Sequence, residues 1–455
     1  MTVLPSKDMP ELPPCRAKSS GGRISVRHHC SRRSFFAAGA VGFGGLALAD
    51  LLRREAAAGI SESDKRSVIV VFQAGGPSHL ETWDLKPRAP VEYRGEFTGI
   101  DTTIPGYQVG EYMPHLAKLC HKLAILRSTF HDQTEHGQGV HAVLTGYKPT
   151  KGSPDNEFPS AGSIVSKELG PRASGIPPYI ATMTAIPSSN AAYLGVEHNP
   201  FQTYGYPTSP AFKVRNLVLP DKVDQARLER RRKMLERFDD FRRDADATGA
   251  IDGMDQFTRR AFELVASPAI RAAFDLNQEP AELRERYGAQ SFGAQSLLLA
   301  RRLVEAGARF VTVRVDGQWD SHKDNFTAHR ALIPPWDQCL SALIDDLDER
   351  GQLDSTLLWI GGEFGRTPKI NKDAGRDHWP MVYSTVLAGG GVKGGIVLGE
   401  SDALAEVPKA RPISHQDVLA TIYHQLGIDF HKTYVNEANR PVEILNYGKP
   451  IEEIL

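Results

Sequence analysis

Apolar runs that empty abruptly into clusters of glycines, acids and histidines constrain this chain more than any other feature. Ser67-Val68-Ile69-Val70-Val71-Phe72 leads into Gln73-Ala74-Gly75-Gly76-Pro77-Ser78-His79, and Arg309 to Val315 leads into Asp316-Gly317-Gln318-Trp319-Asp320-Ser321-His322. Thr356 to Ile360 leads into Gly361-Gly362-Glu363-Phe364-Gly365-Arg366-Thr367-Pro368, with Gly375-Arg376-Asp377-His378-Trp379-Pro380 soon after. The first run has no polar alternation, as expected of a strand buried on both faces. Further strands are expected at Leu123–Ser128, Pro177–Thr182, Met381–Leu387 and Ile396–Gly399. Between them helical spacing recurs at Tyr112–Lys122, Gly139–Tyr147, Pro159–Gly170, Met254–Phe274, Phe292–Ala306, Trp336–Glu349 and Gln416–Leu426. Strands alternating with helices predict an α/β fold, a doubly wound and mainly parallel sheet with helices on both faces. Ligands of such sheets gather at the carboxyl ends of the strands, where every polar cluster named above falls.

Charge excludes one class of partner. With 54 basic and 55 acidic residues the formal net charge is −1, so nothing draws the whole chain to nucleic acid or anionic lipid. The basic cluster Arg230-Arg231-Arg232-Lys233 lies among acids in Asp221–Asp246, which reads as a solvated helix with a thin apolar stripe. We expect a charged helical insertion at about 221–300 within a single domain spanning 59–455.

Residues 1–58 read as a leader. A basic, polar start precedes Ser31-Arg32-Arg33-Ser34-Phe35-Phe36, a short run of small and apolar residues from Ala37 to Leu48, and Ala56-Ala57-Ala58 as a cleavage site. This resembles a twin-arginine (Tat) export signal, and it implies the Tat machinery as a partner and a periplasmic or extracellular location. An ordinary secretory signal or an uncleaved anchor is the alternative. No later segment is long and uncharged enough for a span, so no stable membrane span is expected after cleavage. Of four cysteines, Cys120 and Cys339 would remain, each in an amphipathic pattern that suggests a buried free thiol. No CxxC occurs, which disfavours thiolate zinc and thiol redox chemistry.

The clusters carry the chemistry. Asp320 and His322, two apart in a loop, can turn toward one point. Glu363 directly follows a buried strand, where an unpaired carboxylate would be costly. Asp377 and His378 add another carboxylate and imidazole. Together these five supply oxygen and nitrogen ligands suited to zinc, manganese, calcium or magnesium. Singly, each has a structural explanation: Asp320 as a turn cap, His322 as a surface histidine, Glu363 as a partner of Arg366. Arg366 could instead hold a phosphate or sulfate bidentately. His131, His136 and His141 recur every five residues, on no common helical face, so one or two of them are expected at a site. They lie where a strand, a polar loop and a helix start follow one another, a natural place for an anion.

These motifs resemble domain-of-unknown-function family 1501, a branch of the alkaline-phosphatase-like superfamily that also holds sulfatases, over nearly the whole chain beyond the leader. The resemblance implies an alkaline-phosphatase-like or sulfatase-like core with metals at the strand ends, and hydrolysis of a phosphate or sulfate ester on a small molecule or glycan. It implies that Asp320 and His322 are the Asp/His pair of one metal, that Glu363 takes the place of a late-strand Asp ligand, and that His378 is the later histidine ligand. Val143-Leu144-Thr145-Gly146-Tyr147 resembles the helix after a sulfatase nucleophile, and Asp417-Val418-Leu419-Ala420-Thr421 the segment before its last helix. The chain departs from that pattern at the nucleophile itself. Ten residues before Gly146 stands His136, and no Cys-x-Pro-x-Arg occurs, so a formylglycine cannot form. Gly75-Gly76 replaces the metal-binding Asp after the first strand. His136 or Thr134 could serve as nucleophile, or a metal-bound water could attack, with Arg366 on the transferred group. The expectation is an exported, metal-dependent ester hydrolase; the alternative is a catalytically inactive metal- or ligand-binding protein on the same scaffold.

Overall fold

The structure, a computed structural model, describes residues 66–150, 156–173, 175–205, 207, 230, 267–288, 293–315, 317 and 319–455. The expected leader and almost all of 221–266 lie outside the described residues.

One nine-stranded sheet organises the fold. Its strands are β1 (Ser67–Gln73), β2 (Leu123–Phe130), β3 (Tyr179–Thr182), β4 (Phe201–Gln202), β5 (Phe310–Val315), β6 (Thr356–Gly361), β7 (Tyr383–Ala388), β8 (Ile396–Leu398) and β9 (Ile413–Ser414). Their order is β8-β2-β7-β6-β1-β5-β3-β4, with β9 beside β2. β1 lies mid-sheet between β5 and β6, parallel to both. Only β7 runs antiparallel, against β2 and β6, so the sheet is mixed but largely parallel.

Both faces are covered, which explains why β1 is buried at every residue. Pleat alternation sends Ile69 and Val71 into one apolar core and Val68, Val70 and Phe72 into the other. The first core is closed by α1 (Pro114–Leu119), α4 (Pro268–Phe274), α6 (Ala294–Ala306) and α7 (Asn325–Glu349), with α5 (Ala281–Tyr287) beside them. The second is closed by α2 (His136–Thr145), α3 (Ala161–Leu169) and α8 (His415–Gln425). The expected doubly wound α/β architecture is therefore present. No helix among the described residues is long and apolar enough to cross a membrane.

Three local differences from the sequence reading have physical causes. α7 begins at Asn325 rather than Trp336, running through Pro334 and Pro335. An interior proline costs about 3 kcal/mol, but Phe326, His329, Ile333 and Trp336 all face inward and are buried, and that packing overrides the local penalty. α2 starts at His136 instead of Gly139, which makes the histidine part of the helix's first turn. From residue 267 onward, the described part of the expected charged segment packs on the sheet, with Leu297, Leu298 and Leu299 fully buried.

Cys120 and Cys339 are free and buried, and burial pushes both thiols up to about 12. α1 lacks a side-chain cap of its own, and buried Asp337 of α7 supplies one from outside. Its two oxygens accept the backbone N–H groups of His115 and Leu116 at 2.9 and 2.8 Å. Replacing Asp337 by Ala strands one buried and one partly buried donor, so Asp337→Ala should lower unfolding free energy by about 1–3 kcal/mol in denaturant titration. An unchanged midpoint would show that the cap contributes nothing.

Candidate metal centre

β1, β2, β5 and β6 are mutually parallel in the sheet, so their carboxyl ends share one edge. The β2 end delivers His136 at the start of α2, the β5 end delivers Asp320 and His322, and the β6 end delivers Glu363. His378 arrives on a short antiparallel ribbon in which it pairs with Arg366.

Three imidazoles converge on Asp320. His322 Nε2 lies 3.0 Å from Asp320 Oδ1, His378 Nε2 lies 3.2 Å from the same oxygen, and His136 Nε2 lies 3.1 Å from Oδ2. The Nε2 atoms of His322 and His378 are 3.1 Å apart. Ligand atoms of His136, Asp320 and His378 all fall within 4.8 Å of one another. Each histidine has its other nitrogen occupied from behind. His136 Nδ1 donates to Glu363 Oε1 at 2.6 Å, His322 Nδ1 to Asp377 Oδ1 at 2.6 Å, and His378 Nδ1 to the Thr134 carbonyl at 2.7 Å. These acceptors place a proton on Nδ1 of each ring.

The buried groups beneath the cluster hold it in place. Arg366, fully buried, donates through Nε to Gly76 O at 2.9 Å, through Nη1 to Arg376 O at 3.1 Å, and through Nη2 to Gly75 O and Asp320 Oδ1. Its expected partner Glu363 is engaged elsewhere: Oε1 accepts Gly75 N–H at 2.9 Å, and Oε2 is buried with no hydrogen-bond partner. Arg376 is paired with Glu81 at 2.7 Å, both fully buried, and also donates to the carbonyls of Tyr93, Thr367 and Pro368. That fixes the loop carrying Asp377 and His378.

Electrostatics follow the geometry. Burial opposes ionisation of Asp320, but the hydrogen bond and charge of Arg366, followed by His136 and His322, outweigh it and hold the carboxyl at about 2. The Glu363 hydrogen bond raises the His136 pKa. Burial lowers those of His378 and of Arg366. The hydrogen bond from His322 lowers that of Asp377.

The arrangement differs from the sequence assignment in detail. Glu363 and Asp377, expected as metal ligands, face the rear nitrogens of His136 and His322. Arg366, expected on a substrate, is consumed by backbone carbonyls and Asp320. Thr134 is exposed and meets the cluster through its carbonyl. His131 donates Nε2–H to the Glu363 carbonyl at 2.5 Å, and His141 bonds the Tyr147 carbonyl at 2.9 Å, so of the three spaced histidines only His136 enters the cluster. Sequence reasoning passed over Phe364, whose ring lies against both His136 and His378. Its place directly after Glu363 was the available signal.

Fold and site together define an α/β scaffold with a largely parallel sheet and a histidine–carboxylate cluster at its strand ends. Over residues 65–455 the chain matches the family described as Protein of unknown function (DUF1501), and it belongs to that family. No curated protein matches its sequence. Among solved structures it is similar to a sulfatase from Pseudoalteromonas sp., at 13% identity and a TM-score of 0.40, covering 84% of this chain and 71% of that one. It is also similar to a phosphonate monoester hydrolase from Silicibacter pomeroyi, at 12% identity and a TM-score of 0.35, covering 85% and 76% respectively. A protein in the alkaline phosphatase superfamily from Vibrio parahaemolyticus matches at 9% identity and a TM-score of 0.34, over 80% and 67%. At these scores the likenesses carry no argument about activity.

Because its pKa is depressed in the fold, Asp320 contributes stability that is fully present above its ordinary value of 3.8 and is lost as pH falls toward about 2. Its side chain is 43% exposed, so solvent screening keeps the contribution small. Arg366→Met should move the Asp320 titration, followed by carboxylate NMR, upward from about 2 to 3.8 or above. A value unmoved by the substitution would show that Arg366 does not set it.

Proposed function

We propose that the cluster is a metal centre in which His136, His322 and His378 present Nε2 and Asp320 presents its carboxylate. One observation carries this reading. With the protons of His322 and His378 on Nδ1, two bare nitrogen lone pairs and a carboxylate oxygen face one another at 3.0 to 3.2 Å. Three acceptors at that spacing repel unless a metal cation or a second proton on one ring lies among them. Metal–ligand distances of about 2.0–2.2 Å put neighbouring ligand atoms roughly 2.8–3.6 Å apart, from octahedral to tetrahedral geometry, a range that contains these spacings. The buried, unpartnered Glu363 Oε2 is a second sign of missing positive charge. Three imidazoles favour zinc over the oxygen-seeking calcium, magnesium and manganese. Glu363, Asp377 and the Thr134 carbonyl orient the three rings from behind, as second-shell acceptors do.

On this reading the protein is a metal-dependent hydrolase of a phosphate or sulfate ester carried on a small molecule or glycan. The metal would supply Lewis acidity at the ester oxygen. The chain's own residues keep the ligands deprotonated and aimed: Arg366 keeps Asp320 ionised, and Asp377 and the Thr134 carbonyl keep the His322 and His378 lone pairs inward. The site stands on the solvent-facing side of the sheet edge, with Asp320 and His322 each 43% exposed, so an ester projecting from a larger molecule can reach it. The second reading is a binding-only centre, favoured by a specific fact: the helix start where the resemblance implies a nucleophile holds His136, whose ring nitrogens both face carboxylates.

Elemental analysis of the purified full chain should find zinc near one equivalent. His322→Ala and His378→Ala should each lose it, and Asp377→Asn should weaken binding by about 10–100-fold. Chelation should abolish turnover of p-nitrophenyl phosphate or p-nitrophenyl sulfate, and readdition should restore it. No bound transition metal would sink the centre; bound metal without turnover of either ester would leave the binding-only reading.

We also propose export through the Tat pathway, supported by Arg32-Arg33 and the following Ala37–Leu48 run. Replacing both arginines by lysine should retain the protein in the cytoplasm on fractionation; undiminished export would rule the pathway out.

A further inference from the structure

Phe364 is fully buried, directly follows Glu363, and takes part in neither ligation nor any proton transfer described above. Its ring centroid lies 4.5 Å from that of His378 and 5.1 Å from that of His136, tilted by 30° and 39°. The Arg366 guanidinium stands 5.9 Å from the same ring. The chain makes room for it at two points. A Cβ on Gly76 would lie 2.5 Å from Phe364 Cδ2, and a Cβ on Gly139 would lie 3.1 Å from Cδ1. Gly76 also has a φ of +81°, which only glycine adopts readily. Gly139 is different: it sits inside α2, and no unusual backbone angle requires a glycine there. Alanine is the better helix former, so the absence of a methyl at 139 is best explained by the ring it would touch.

We infer that Phe364 is a positioning residue of the proposed centre: its ring, wedged between Gly76 and Gly139 beneath His136 and His378, sets the spacing and facing of their Nε2 atoms. The inference rests on the metal-centre reading and adds to it a wall that no hydrogen-bond pattern reveals. His136 and His378 touch edge to face, with centroids 4.3 Å apart, and their Nδ1 bonds to Glu363 and to the Thr134 carbonyl hold each ring at one edge. A flat apolar surface against both rings backs the faces that those bonds leave uncovered. It also keeps water from the inner side of the centre, leaving the solvent side as the approach.

The test uses the full chain with cobalt(II) as the probe metal, and two variants that act in opposite ways on the fold. Phe364→Leu removes the flat ring but keeps an apolar side chain. Gly139→Ala favours the helix while pressing on the ring, so its melting temperature should be unchanged or higher. Both should weaken cobalt(II) binding at least about tenfold and shift its visible absorption bands. A purely structural role for Phe364 would leave the Gly139→Ala spectrum and affinity as in the wild type, and that result, with Phe364→Leu also unchanged, overturns the inference. Should the wild type bind no cobalt(II) or zinc, the metal reading itself fails. The inference is then decided by long-range ¹H–¹⁵N spectra of the metal-free rings. A fixed Nδ1–H tautomer for His378 in the wild type, giving way to tautomer exchange in both variants, supports it; identical spectra in all three overturn it.

Discussion

The buried guanidinium of Arg366 is the constraint on which the site depends. It binds the carbonyls of Gly75 and Gly76 after β1, the carbonyl of Arg376 on the loop before His378, and Asp320 after β5. Three separate stretches of backbone are thus referred to one planar group. A lysine could not replace it, because its single point of charge has no fixed fork to divide among carbonyls arriving from different directions. Burying a guanidinium this deeply is unfavourable unless its donors are met. Here they are met by strand-end carbonyls that a helix or sheet cannot satisfy, so donor and acceptors each remove the other's cost. Arg376 repeats the device one loop further out, with Glu81 cancelling its charge inside the core.

Those two arginines matter because the centre is assembled over long stretches of chain. His136 meets Asp320, and His322 meets His378, only after the sheet has formed and its parallel strands have brought their ends to one edge. Closing such loops costs conformational entropy that the polar contacts alone would not return. The apolar cores do so instead: β1, buried on both faces, sets the register of β5 and β6, and the register places the loops. The site is therefore a by-product of core packing, locked afterwards by buried arginines.

This division explains what could be read from the sequence. Unbroken apolar runs such as Val68–Phe72 announce a strand buried on both faces, and the polar residues following each run announce the edge where a site can form. Asp320, His322 and His378 were legible as a group for that reason. The parts that were not legible depend on side-chain direction in irregular loops, where no period of two or 3.6 tells which way a residue faces. Glu363 and Asp377 carry the right chemistry for ligation, yet they stand one layer back, each on the rear nitrogen of a histidine. His136 was read as occupying a nucleophile's position; as the first residue of α2 it points Nε2 at Asp320. The start of α7 was misplaced for a different reason: Pro334 and Pro335 send a strong local signal that the buried face of the helix overrules.

The charges around the cluster favour the proposed cation. Asp320, Glu363 and Asp377 bring three carboxylates into the loops at the sheet edge, and Arg366 is the one guanidinium among the described residues that pairs with any of the three. Glu363 is only 2% exposed, so water cannot compensate it, and one of its oxygens has no donor at all. A protonated His136 between Glu363 and Asp320 would relieve part of the excess, which is the sense in which Glu363 raises its pKa. That relief leaves the His322 and His378 lone pairs facing each other unrelieved. A divalent ion among the four inward atoms removes both faults at once: it allows His136 to be neutral, and it turns the repulsion between the other two rings into shared coordination. The same ion would strengthen the hydrogen bonds behind each ring, because an imidazole that donates electron density forward becomes a better donor at its rear N–H. The rear carboxylates, the buried arginines and the proposed metal then form one electrostatic unit, in which the residues that do not touch the ion decide whether it can bind.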